Sequence, residues 1–386
     1  MRILHIGLAS HFTDGMAYQD NMLIEQAVKD GHIVRYIADC ARYESGILVE
    51  CDPGETVLEC GARLTRVRFF SFGVKPLGER VRHVKHFAEM IASFRPNVIF
   101  VHSFSSVTLL QIAKYVTLHK GTVLYVDSHV DRANATDNKI AFVALHRILY
   151  KYVARRTEKV ITRIFYVAST CKSFLTEVYG LDSSNMSLLP LGGYPKSDIE
   201  YDESRKRTRE KLGISPGSIV VTHTGKIDQT KRMPEILRAF RSAANSNSIM
   251  LLAGSVSKDI QCELEDFLHD DRVRFLGWLS GFDLENLLCA SDVYVQIGTE
   301  SATAQLALSC RCATVLQPTE NYTELFGEML LYANKEDELE EVLKNLLTNE
   351  RFLHDSKKKA FEVSKSILNI RLIAKKTYGN ADECER

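Results

Sequence analysis

Long apolar runs are missing from the sequence. No stretch of the 386 residues approaches the roughly 20 apolar residues that a helix needs to cross a bilayer. The apolar stretch in the N-terminal MRILHIGLAS is also too short for a signal peptide. We therefore expect a cytoplasmic protein that is soluble or at most peripheral to a membrane.

An excess of charge of either sign is also missing, because 49 lysine and arginine residues balance 49 aspartate and glutamate residues. The first 190 residues nevertheless carry a modest basic excess, and the remainder carries a matching acidic one. This asymmetry is too weak to indicate binding to nucleic acid, but it leaves room for an anionic partner on the first half of the chain.

Three motifs with defined chemistry are absent as well. The nine cysteines include no CxxC pair, and Cys310 and Cys312 are too close in sequence for a structural zinc pair, so we expect reduced thiols. No Asp-x-Asp sequence occurs, so we predict no required divalent ion, and we expect no other cofactor. The loop GLASHFTDGMAYQDN lacks the GxGxxG spacing of a dinucleotide-binding turn, which argues against a nicotinamide enzyme.

The sequence does contain a regular alternation of strand-like and helix-like segments. In the first half the apolar runs ILHIG, IVRYIA, NVIFVH, TVLYVD and IFYVAS alternate with helical segments such as AYQDNMLIEQAVKDG. In the second half IVVTHTG, IMLLAG, VRFLG, VYVQIG and TVLQ alternate with helices such as MPEILRAFRSAA. This alternation predicts an α/β fold whose parallel sheets are covered on both faces.

The chain length suits two domains. The segment LLPLGGYPKSDIEYDESRKRTREKLGISPGS separates the two alternating patterns, and we predict a linker there with little to bury. We place an N-terminal domain at 1–195 and a C-terminal domain at 196–365. A helical tail at 366–386 is expected to return to the first domain. Two doubly wound Rossmann-like domains facing a central cleft are the predicted architecture.

In open parallel sheets, ligands bind beyond the carboxyl ends of the strands. His129 lies just past one such end, between Asp127 and Asp131, so it would donate to a ligand with its ring oriented by a carboxylate. A purely structural histidine is the alternative. Gly15, just before the first helix, would let the backbone approach a ligand, unless it is a plain turn glycine.

A basic turn follows the first strand of the second domain, in HTGKIDQTKR. Lys226 and Lys231 lie five residues apart after Gly225, so their ammonium groups would converge on one polyanion such as a diphosphate. The alternative is a solvated basic loop with no ligand.

A polar turn and a helix of small residues follow another strand, in GTESATAQLALSCRCATVL. A helix that begins near Ser301 points backbone N–H groups, with the Ser301 and Thr303 hydroxyls, at an anion. Glu300 beside an anion is unfavourable unless it binds hydroxyls, so we assign it to a polyol such as a sugar. An N-terminal cap with an incidental carboxylate is the alternative. With the lysines, this turn describes a site for a nucleotide-sugar.

These motifs resemble those of the retaining glycosyltransferases of the two-Rossmann-domain (GT-B) fold, in particular the family-four group of bacterial sugar transferases. The resemblance covers nearly the whole chain and is strongest over residues 219–334. In that family a strand, Gly-Arg, a short spacer, Lys and an Ala-Phe helix follow one another, and TGKIDQTKRMPEILRAF is similar, with Lys226 in place of the arginine. RVRFLGWLSGFDLENLLCASDVYV resembles the family's base-binding region.

The resemblance implies that Lys226 and Lys231 hold the donor diphosphate and that Glu300 faces the donor sugar. It also implies that His129 contacts the sugar and the reaction centre. Donor-binding residues would be Gly15, Gly225, Gly277, Trp278, Leu279, Ser301, Ala302 and Thr303. The three residues 277–279 would form a wall near the nucleobase, although a strand end with Trp278 as a packing residue is the alternative.

Two positions depart from the family pattern. Leu308 stands eight positions after Glu300, where the family carries a second glutamate that binds ribose, and Asp14 replaces the first glycine of the N-terminal loop. We expect Gln305, on the same helix, to take over part of the ribose contact. The acceptor would meet the first domain, with acceptor-side residues Asp14, Tyr18, Asp131 and Asn134.

The implied reaction is transfer of a sugar from a nucleoside diphosphate sugar, with UDP favoured, to an acceptor hydroxyl with retention of configuration. The implied context is bacterial cell-surface polysaccharide or glycoconjugate synthesis. The basic amphipathic LHRILYKYVARRTEKVITRI suggests a face for the inner membrane surface and a lipid-linked saccharide acceptor, or else a sheet-covering helix with a solvated side. A catalytically silent partner that binds a saccharide or another transferase, and a sugar-nucleotide epimerase, are the rival interpretations.

Overall fold

The computed structural model describes residues 1–16, 18–44, 47–73, 75–136 and 138–379. The chain divides into two compact units. The first contains Met1–Asp14, Asp20–Pro190 and the chain from Arg371 on, and the second contains Gly15–Gln19 and Leu191–Ile370. Of the tail predicted at 366–386, residues 380–386 lie outside the described residues. Within the described ranges, every helix is too short or too polar to cross a membrane.

The first unit is built on an eight-stranded sheet in the order β10-β9-β8-β7-β1-β2-β6-β5. Only the edge pair of β5 and β6 is antiparallel, and β3 and β4 form a separate antiparallel pair. The strands are β1 (Arg2–Gly7), β2 (Ile33–Asp39), β3 (Ala41–Glu44), β4 (Ile47–Glu50), β5 (Gly54–Val57), β6 (Arg63–Val67), β7 (Val98–His102), β8 (Val123–Ser128), β9 (Arg163–Tyr166) and β10 (Met186–Leu188).

Helices cover this sheet. They are α1 (Gln19–Lys29), α2 (Lys75–Val81), α3 (Phe87–Phe94), α4 (Thr108–Leu118), α5 (Lys139–Phe142), α6 (Lys151–Thr157) and α7 (Ser169–Phe174). A π-helical segment, Val143–Tyr150, joins α5 to α6, and another, Leu175–Tyr179, follows α7. The central strand β7 is buried at every position, as expected for a parallel strand with helices on both faces.

The second unit has a six-stranded parallel sheet in the order β13-β12-β11-β14-β15-β16. Its strands are β11 (Ile219–Thr224), β12 (Ser248–Ala253), β13 (Val273–Phe275), β14 (Val293–Gln296), β15 (Ala313–Leu316) and β16 (Leu331–Tyr332). The chain runs outward from β11 first through β12 and β13, and then, on the other side, through β14 to β16. The order therefore reverses between β11 and β14, and this is the position where an open parallel sheet forms a ligand-binding crevice.

The helices of this part are α8 (Asp198–Lys211), α9 (Met233–Ala243), α10 (Gln261–Leu268), α11 (Gly281–Ala290), α12 (Ala302–Ser309), α13 (Glu320–Phe326), α14 (Glu336–Thr348), α15 (Glu350–Ser366) and α16 (Ile370–Tyr378). From Arg371 on, α16 belongs to the first unit, where Tyr378 donates to Asp30 and the Tyr125 hydroxyl donates to the Gly379 carbonyl oxygen at 2.8 Å. The prediction of an α/β fold with parallel sheets is confirmed.

The prediction of a linker with little to bury is wrong. The segment contains α8, which starts at a capping box of Ser197 and Glu200 and packs against α11. Tyr201, Ser204 and Arg209 of this helix are buried. Its charged composition suggested a solvated segment, but the charges have a buried partner that lies about 85 residues further along the chain.

That partner is the carboxylate of Asp292. Arg205 and Arg209 of α8 each donate to one of its oxygens at 2.6 Å, and Lys357 of α15 donates at 2.9 Å. Burial opposes ionisation of Asp292, but Lys357 and the two arginines outweigh it and lower the pKa of the carboxyl group. One buried anion therefore joins two helices that are distant in sequence.

We expect Asp292→Asn to destabilise the protein strongly, because three cations would lose their common anion. The expected loss in free energy of unfolding is about 3–5 kcal/mol, measured by urea denaturation at pH 7. The control is Glu336→Gln, which breaks an exposed ion pair with Arg238 and should lose less than about 1 kcal/mol. Equal losses in the two variants would contradict a special role for Asp292.

Candidate functional site

The basic turn after β11 lies at the point where the strand order of the second unit reverses. Gly225 has a φ of 117°, and its N–H donates to the Ala253 carbonyl oxygen. A Cβ on Gly254 would lie 1.7 Å from the Gly225 carbonyl oxygen, so the turns after β11 and β12 touch through their glycines. The side chain of Lys226 is 66% exposed and pairs with the Asp228 carboxylate at 3.1 Å. Its ammonium group can therefore reach a ligand at this edge of the sheet.

Lys231 occupies a different environment from Lys226. It is buried, and its ammonium group donates to the carbonyl oxygens of Thr299 at 2.7 Å and Glu300 at 3.1 Å. Burial lowers the pKa of this lysine. The sequence predicts two lysines converging on one anion, whereas the structure shows one exposed lysine and one that holds the neighbouring loop. An ammonium group has three donors, and Lys231 uses two of them on these carbonyls.

Gly298 allows this loop to approach Lys231. A Cβ at position 298 would lie 2.3 Å from the Thr230 carbonyl oxygen and 2.5 Å from the Lys231 Cα atom. The Thr299 N–H also donates to the Thr230 carbonyl oxygen at 3.0 Å. The glycine that opens the polar turn is thus required by packing against the backbone of the basic turn.

The carboxylate of Glu300 is held by two residues that the sequence analysis missed. Thr319 donates to one oxygen, and the Asn321 amide donates to the other at 2.7 Å. Thr319 caps the N-terminus of α13, just after β15, and β15 pairs with β14. The sequence could have indicated these two residues, because polar side chains also follow β15. Each carboxylate oxygen has a second lone pair, so Glu300 keeps capacity to accept from sugar hydroxyls.

The helix predicted near Ser301 is confirmed, since α12 begins at Ala302 with Ser301 as its cap. The Ser301 hydroxyl accepts from the Thr303 N–H at 3.4 Å. The Thr303 hydroxyl contacts the Tyr294 hydroxyl at 2.8 Å and donates to the Thr224 carbonyl oxygen at 3.2 Å. Both hydroxyls therefore brace the helix start. Ala302 is exposed, and its N–H has no acceptor in the described part of the chain. This N–H group is therefore available to an anion.

The ribose contact expected from Gln305 is not supported by its position. Its side chain is buried, and the amide oxygen accepts from the Gly192 N–H at 3.0 Å. Leu308, the position of the family's second glutamate, is also fully buried. Both side chains lie inside the unit because α12 is buried at every position from Ala304 to Ser309. Sequence spacing alone could not show how completely this helix is enclosed.

The predicted base-binding residues lie in the loop after β13. Gly277 has a φ of 70°, and its carbonyl oxygen accepts from the Gly254 N–H at 2.8 Å, which connects this loop to the other glycine turns. Trp278 is exposed, whereas Leu279 packs on the core cluster around Leu251. Trp278 is thus available to a ligand, and its assignment to the nucleobase stays a prediction.

The candidate residues of the first unit lie past β8. Asp127 faces His129, with 3.5 Å between one carboxylate oxygen and Nε2, as the sequence analysis expected. Asp131 accepts from the N–H groups of Ala133 and Asn134, and the Asn134 amide donates to the His129 carbonyl oxygen at 2.8 Å. Asp131 and Asn134 therefore brace the loop that carries His129, and their contact with an acceptor stays a prediction.

Three further candidates lie in the loop before α1. Gly15 has a left-handed φ of 72°, with nothing within 4 Å of the position a Cβ would take, so the glycine meets a backbone requirement rather than a packing one. Asp14 and Tyr18 are exposed. Asp14 belongs to the first unit, whereas Gly15 and Tyr18 belong to the second. Their roles toward donor or acceptor stay predictions.

The sequence analysis also missed a buried imidazole next to the His129 loop. His102 ends β7 and pairs in register with Asp127 of β8, and its Nδ1 lies 2.9 Å from an Asp127 oxygen and 3.3 Å from an Asp20 oxygen. Burial opposes the charge of His102, but the two carboxylates outweigh it and raise the pKa to about 9.

One family model matches this chain. Residues 204–363 match the family described as glycosyl transferases group 1. The segment begins within α8, ends within α15, and includes Gly225, Lys226, Lys231, Glu300 and α12.

Solved structures are similar over nearly the whole chain. Sucrose-phosphate synthase from Thermosynechococcus elongatus has a TM-score of 0.69 at 14% identity, covering 97% of each chain. The Anabaena protein HepE, solved in complex with UDP and glucose, has a TM-score of 0.66 at 15% identity, covering 97% of this chain and 98% of that one. These likenesses confirm the predicted fold, two Rossmann-like domains of the GT-B type.

A curated relative matches part of the chain. CTP synthase of Saccharolobus solfataricus is 24% identical over 204 residues, which are 51% of this chain and 37% of that protein. The match thus spans little more than a third of the relative's length, so the activity of that relative is not assigned to this chain.

We expect His102 to make the stability of the protein pH-dependent. Its pKa is raised in the folded state, so its contribution is fully present below the unfolded value of about 6.5 and is lost as pH rises through about 9. The loss amounts to roughly 3 kcal/mol at most. Urea denaturation of the wild type and His102→Gln from pH 6 to pH 10 measures it. The gap in free energy of unfolding between them should narrow as pH rises, and a constant gap would contradict the assigned charge.

Proposed function

We propose that the protein transfers a sugar from a nucleoside diphosphate sugar to an acceptor hydroxyl, because residues 204–363 match the family described as glycosyl transferases group 1. A UDP-sugar is the favoured donor, retention the proposed stereochemical course, and no metal ion or cofactor is required. The observation that carries the proposal is the group formed by Lys226, the Ala302 N–H and Glu300, which lies within the matched segment where the strand order reverses.

Each member of this group suits one part of a nucleotide-sugar. The exposed ammonium group of Lys226 and the start of α12 suit the diphosphate, whose negative charge grows when the bond to the sugar breaks. Glu300, oriented by Thr319 and Asn321, suits the hydroxyls of the sugar. Lys231 supports both by holding the carbonyl oxygens of the loop between them. The HepE structure contains UDP and glucose, and the same ligand class is what we propose here.

Thermal shifts with a panel of nucleoside diphosphates and their sugars test donor binding. Stabilisation by one base series is expected, and UDP is the favoured one. No stabilisation by any of them would favour a catalytically silent partner, an interpretation that the buried Leu308 keeps open.

Release of nucleoside diphosphate that depends on a saccharide acceptor then identifies a transferase. Conversion of the sugar without an acceptor would instead indicate an epimerase.

Lys226→Ala should lower kcat/KM about 100-fold or more while leaving the melting temperature unchanged, because the lysine is exposed and its ion pair with Asp228 lies at the surface. The matched control is Lys344→Ala, which removes an exposed lysine from α14 and should leave turnover unaltered. Near wild-type turnover of Lys226→Ala would remove this lysine from the proposed mechanism.

The proposed acceptor is a saccharide or lipid-linked saccharide at the inner face of the bacterial plasma membrane, in the synthesis of surface polysaccharide or glycoconjugate. A stripe of exposed residues between α5 and the turn after α6 supports this location. Ile140 is 83% exposed and Ile148 64% exposed, and basic residues lie between and after them. Residues 138–157 include no acidic residue. The exposed members are Lys139, Ile140, Val143, Ala144, Arg147, Ile148, Lys151, Tyr152, Arg155 and Arg156.

The exposed positions recur in adjacent pairs every four residues through α5, the π-helical segment and α6, a spacing that keeps them on one face, so these side chains form a single apolar and basic surface. Such a surface suits the headgroup region of an anionic bilayer. The predicted amphipathic segment was longer, but α6 ends at Thr157 and residues 163–164 already belong to β9.

Flotation with two kinds of vesicle tests this surface. One contains neutral lipid alone, and the other contains neutral lipid with about 30% anionic lipid. Arg155→Gln with Arg156→Gln should weaken binding to anionic vesicles about 10-fold or more, since each basic residue near the surface contributes about 1 kcal/mol. The control, Lys358→Gln with Lys359→Gln on α15, removes the same charge from another exposed face and should bind like the wild type. No vesicle binding by the wild-type protein would rule out the membrane proposal.

A further inference from the structure

A buried line of polar side chains crosses the carboxyl edge of the sheet in the first unit. His5 of β1, His102 of β7 and Asp127 of β8 lie on three neighbouring strands and are almost completely buried. His5 Nδ1 lies 3.2 Å from His102 Nε2, and His102 Nδ1 lies 2.9 Å from an Asp127 oxygen. From α1, the Asp20 carboxylate also faces His102, and it accepts from the Tyr36 hydroxyl of β2 at 2.7 Å.

These contacts define the protonation states of the two buried histidines, His5 and His102. Both ring nitrogens of His102 face an acceptor when His102 is charged: Nδ1–H points at the two carboxylates and Nε2–H at Nδ1 of His5. His5 is then neutral, and burial, followed by the neighbouring His102, lowers its pKa well below the usual value. His102 is thus a fixed cation that keeps the buried Asp127 carboxylate ionised and in place.

His129 is the end of this line that reaches solvent. Its side chain is 40% exposed, yet its Nε2 atom is buried and lies 3.5 Å from the same Asp127 oxygen that His102 contacts. Because Nε2 is the buried nitrogen, the ring nitrogen on the exposed side is Nδ1. The second oxygen of Asp127 is also buried without a hydrogen bond. A small movement of the ring would bring Nε2–H into hydrogen-bond range of the carboxylate.

The charges that face His129 come from three elements. Asp127 lies on β8, Asp20 lies on α1, and His102 ends β7. Two carboxylates and one imidazolium leave one negative charge, and a proton on His129 neutralises it. Burial opposes this proton, but Asp127 outweighs the burial, and the pKa of His129 is raised above its usual value.

We propose that Asp127 is the positioning residue of His129: it holds the ring by Nε2–H and keeps it protonated, so that Nδ1–H faces outward as a charged hydrogen-bond donor. The proposal rests on the proposed function, because the donor would act on the sugar or on the charge that develops when the sugar is transferred. It assigns His129 the role of a donor rather than that of a general base. His102 does not reach solvent, so it acts on Asp127 and on the charge around His129 without contacting a ligand.

The test compares Asp127→Asn with Asp20→Asn in the full-length protein. Asp127→Asn keeps the shape of the side chain and removes the charge beside His129, whereas Asp20 contacts His102 but not His129. The titration of His129 is followed by NMR of the imidazole protons, assigned with His129→Gln. Asp127→Asn should lower the pKa of His129 by about one unit or more, and Asp20→Asn by clearly less.

Activity provides the second readout. Turnover should fall in the wild type as pH rises through the titration of His129, and Asp127→Asn should move this fall to lower pH. At neutral pH we expect a loss in kcat of roughly 10- to 100-fold, the range expected for the loss of one hydrogen bond from a charged donor, with KM changed less. The double variant Asp127→Asn/His129→Gln should be no slower than His129→Gln alone, because both changes remove the same donor.

Several outcomes would overturn the proposal. They are an unchanged His129 titration in Asp127→Asn, equal effects of the two asparagine variants, or losses that multiply in the double variant. Matching melting temperatures separate these effects from misfolding. If Asp127→Asn does not fold, His102→Gln replaces it: loss of this neighbouring cation should raise the pKa of His129 and move the fall in turnover to higher pH. If no donor supports transfer, the proposed function fails, while the NMR titration still decides whether Asp127 controls His129.

Discussion

The candidate site of the second unit depends on the buried ammonium group of Lys231. A charge at this depth requires polar partners, and the carbonyl oxygens of Thr299 and Glu300 provide them. The polar turn is therefore drawn down onto the basic turn, and Gly298 is the residue that lets the two backbones meet. The start of α12 and the Glu300 side chain take their places from this contact. A lysine that resembles a ligand-binding residue in sequence acts here mainly as the support of the loop.

The strand ends and the turns after them could be predicted from the sequence, because buried parallel strands are continuous apolar runs and ligands bind past their carboxyl ends. The predicted runs IVVTHTG and VYVQIG correspond to β11 and β14, and their following turns carry the candidate groups. What the sequence could not show is which distant residues complete each contact. Thr319 and Asn321 hold Glu300 only because β15 places their loop beside that of β14. His102 faces Asp127 only because β7 and β8 pair in register.

Burial corrected two interpretations that spacing alone had suggested. A charged segment read as a linker forms α8, since Asp292 pairs with its arginines inside the unit. A polar residue on α12, Gln305, was expected to face a ligand, but α12 is buried from Ala304 to Ser309 and the Gln305 amide oxygen accepts from the Gly192 N–H. In both cases the sequence correctly indicated polar side chains that need a polar partner. That partner, however, lies within the protein rather than in solvent or on a ligand. Any ribose hydroxyls bound here must find partners outside the buried length of α12.

The position of α16 has a consequence for the order in which the chain assembles. The first unit includes residues from both sides of the second unit, and Tyr378 and Gly379 make its contacts with Asp30 and Tyr125. During synthesis, residues 191–370 leave the ribosome before Tyr378 and Gly379 do. The second unit, being contiguous over that range, can complete its core during synthesis, whereas the first must wait with one helix missing. The earlier part of the chain is thus the later one to finish folding.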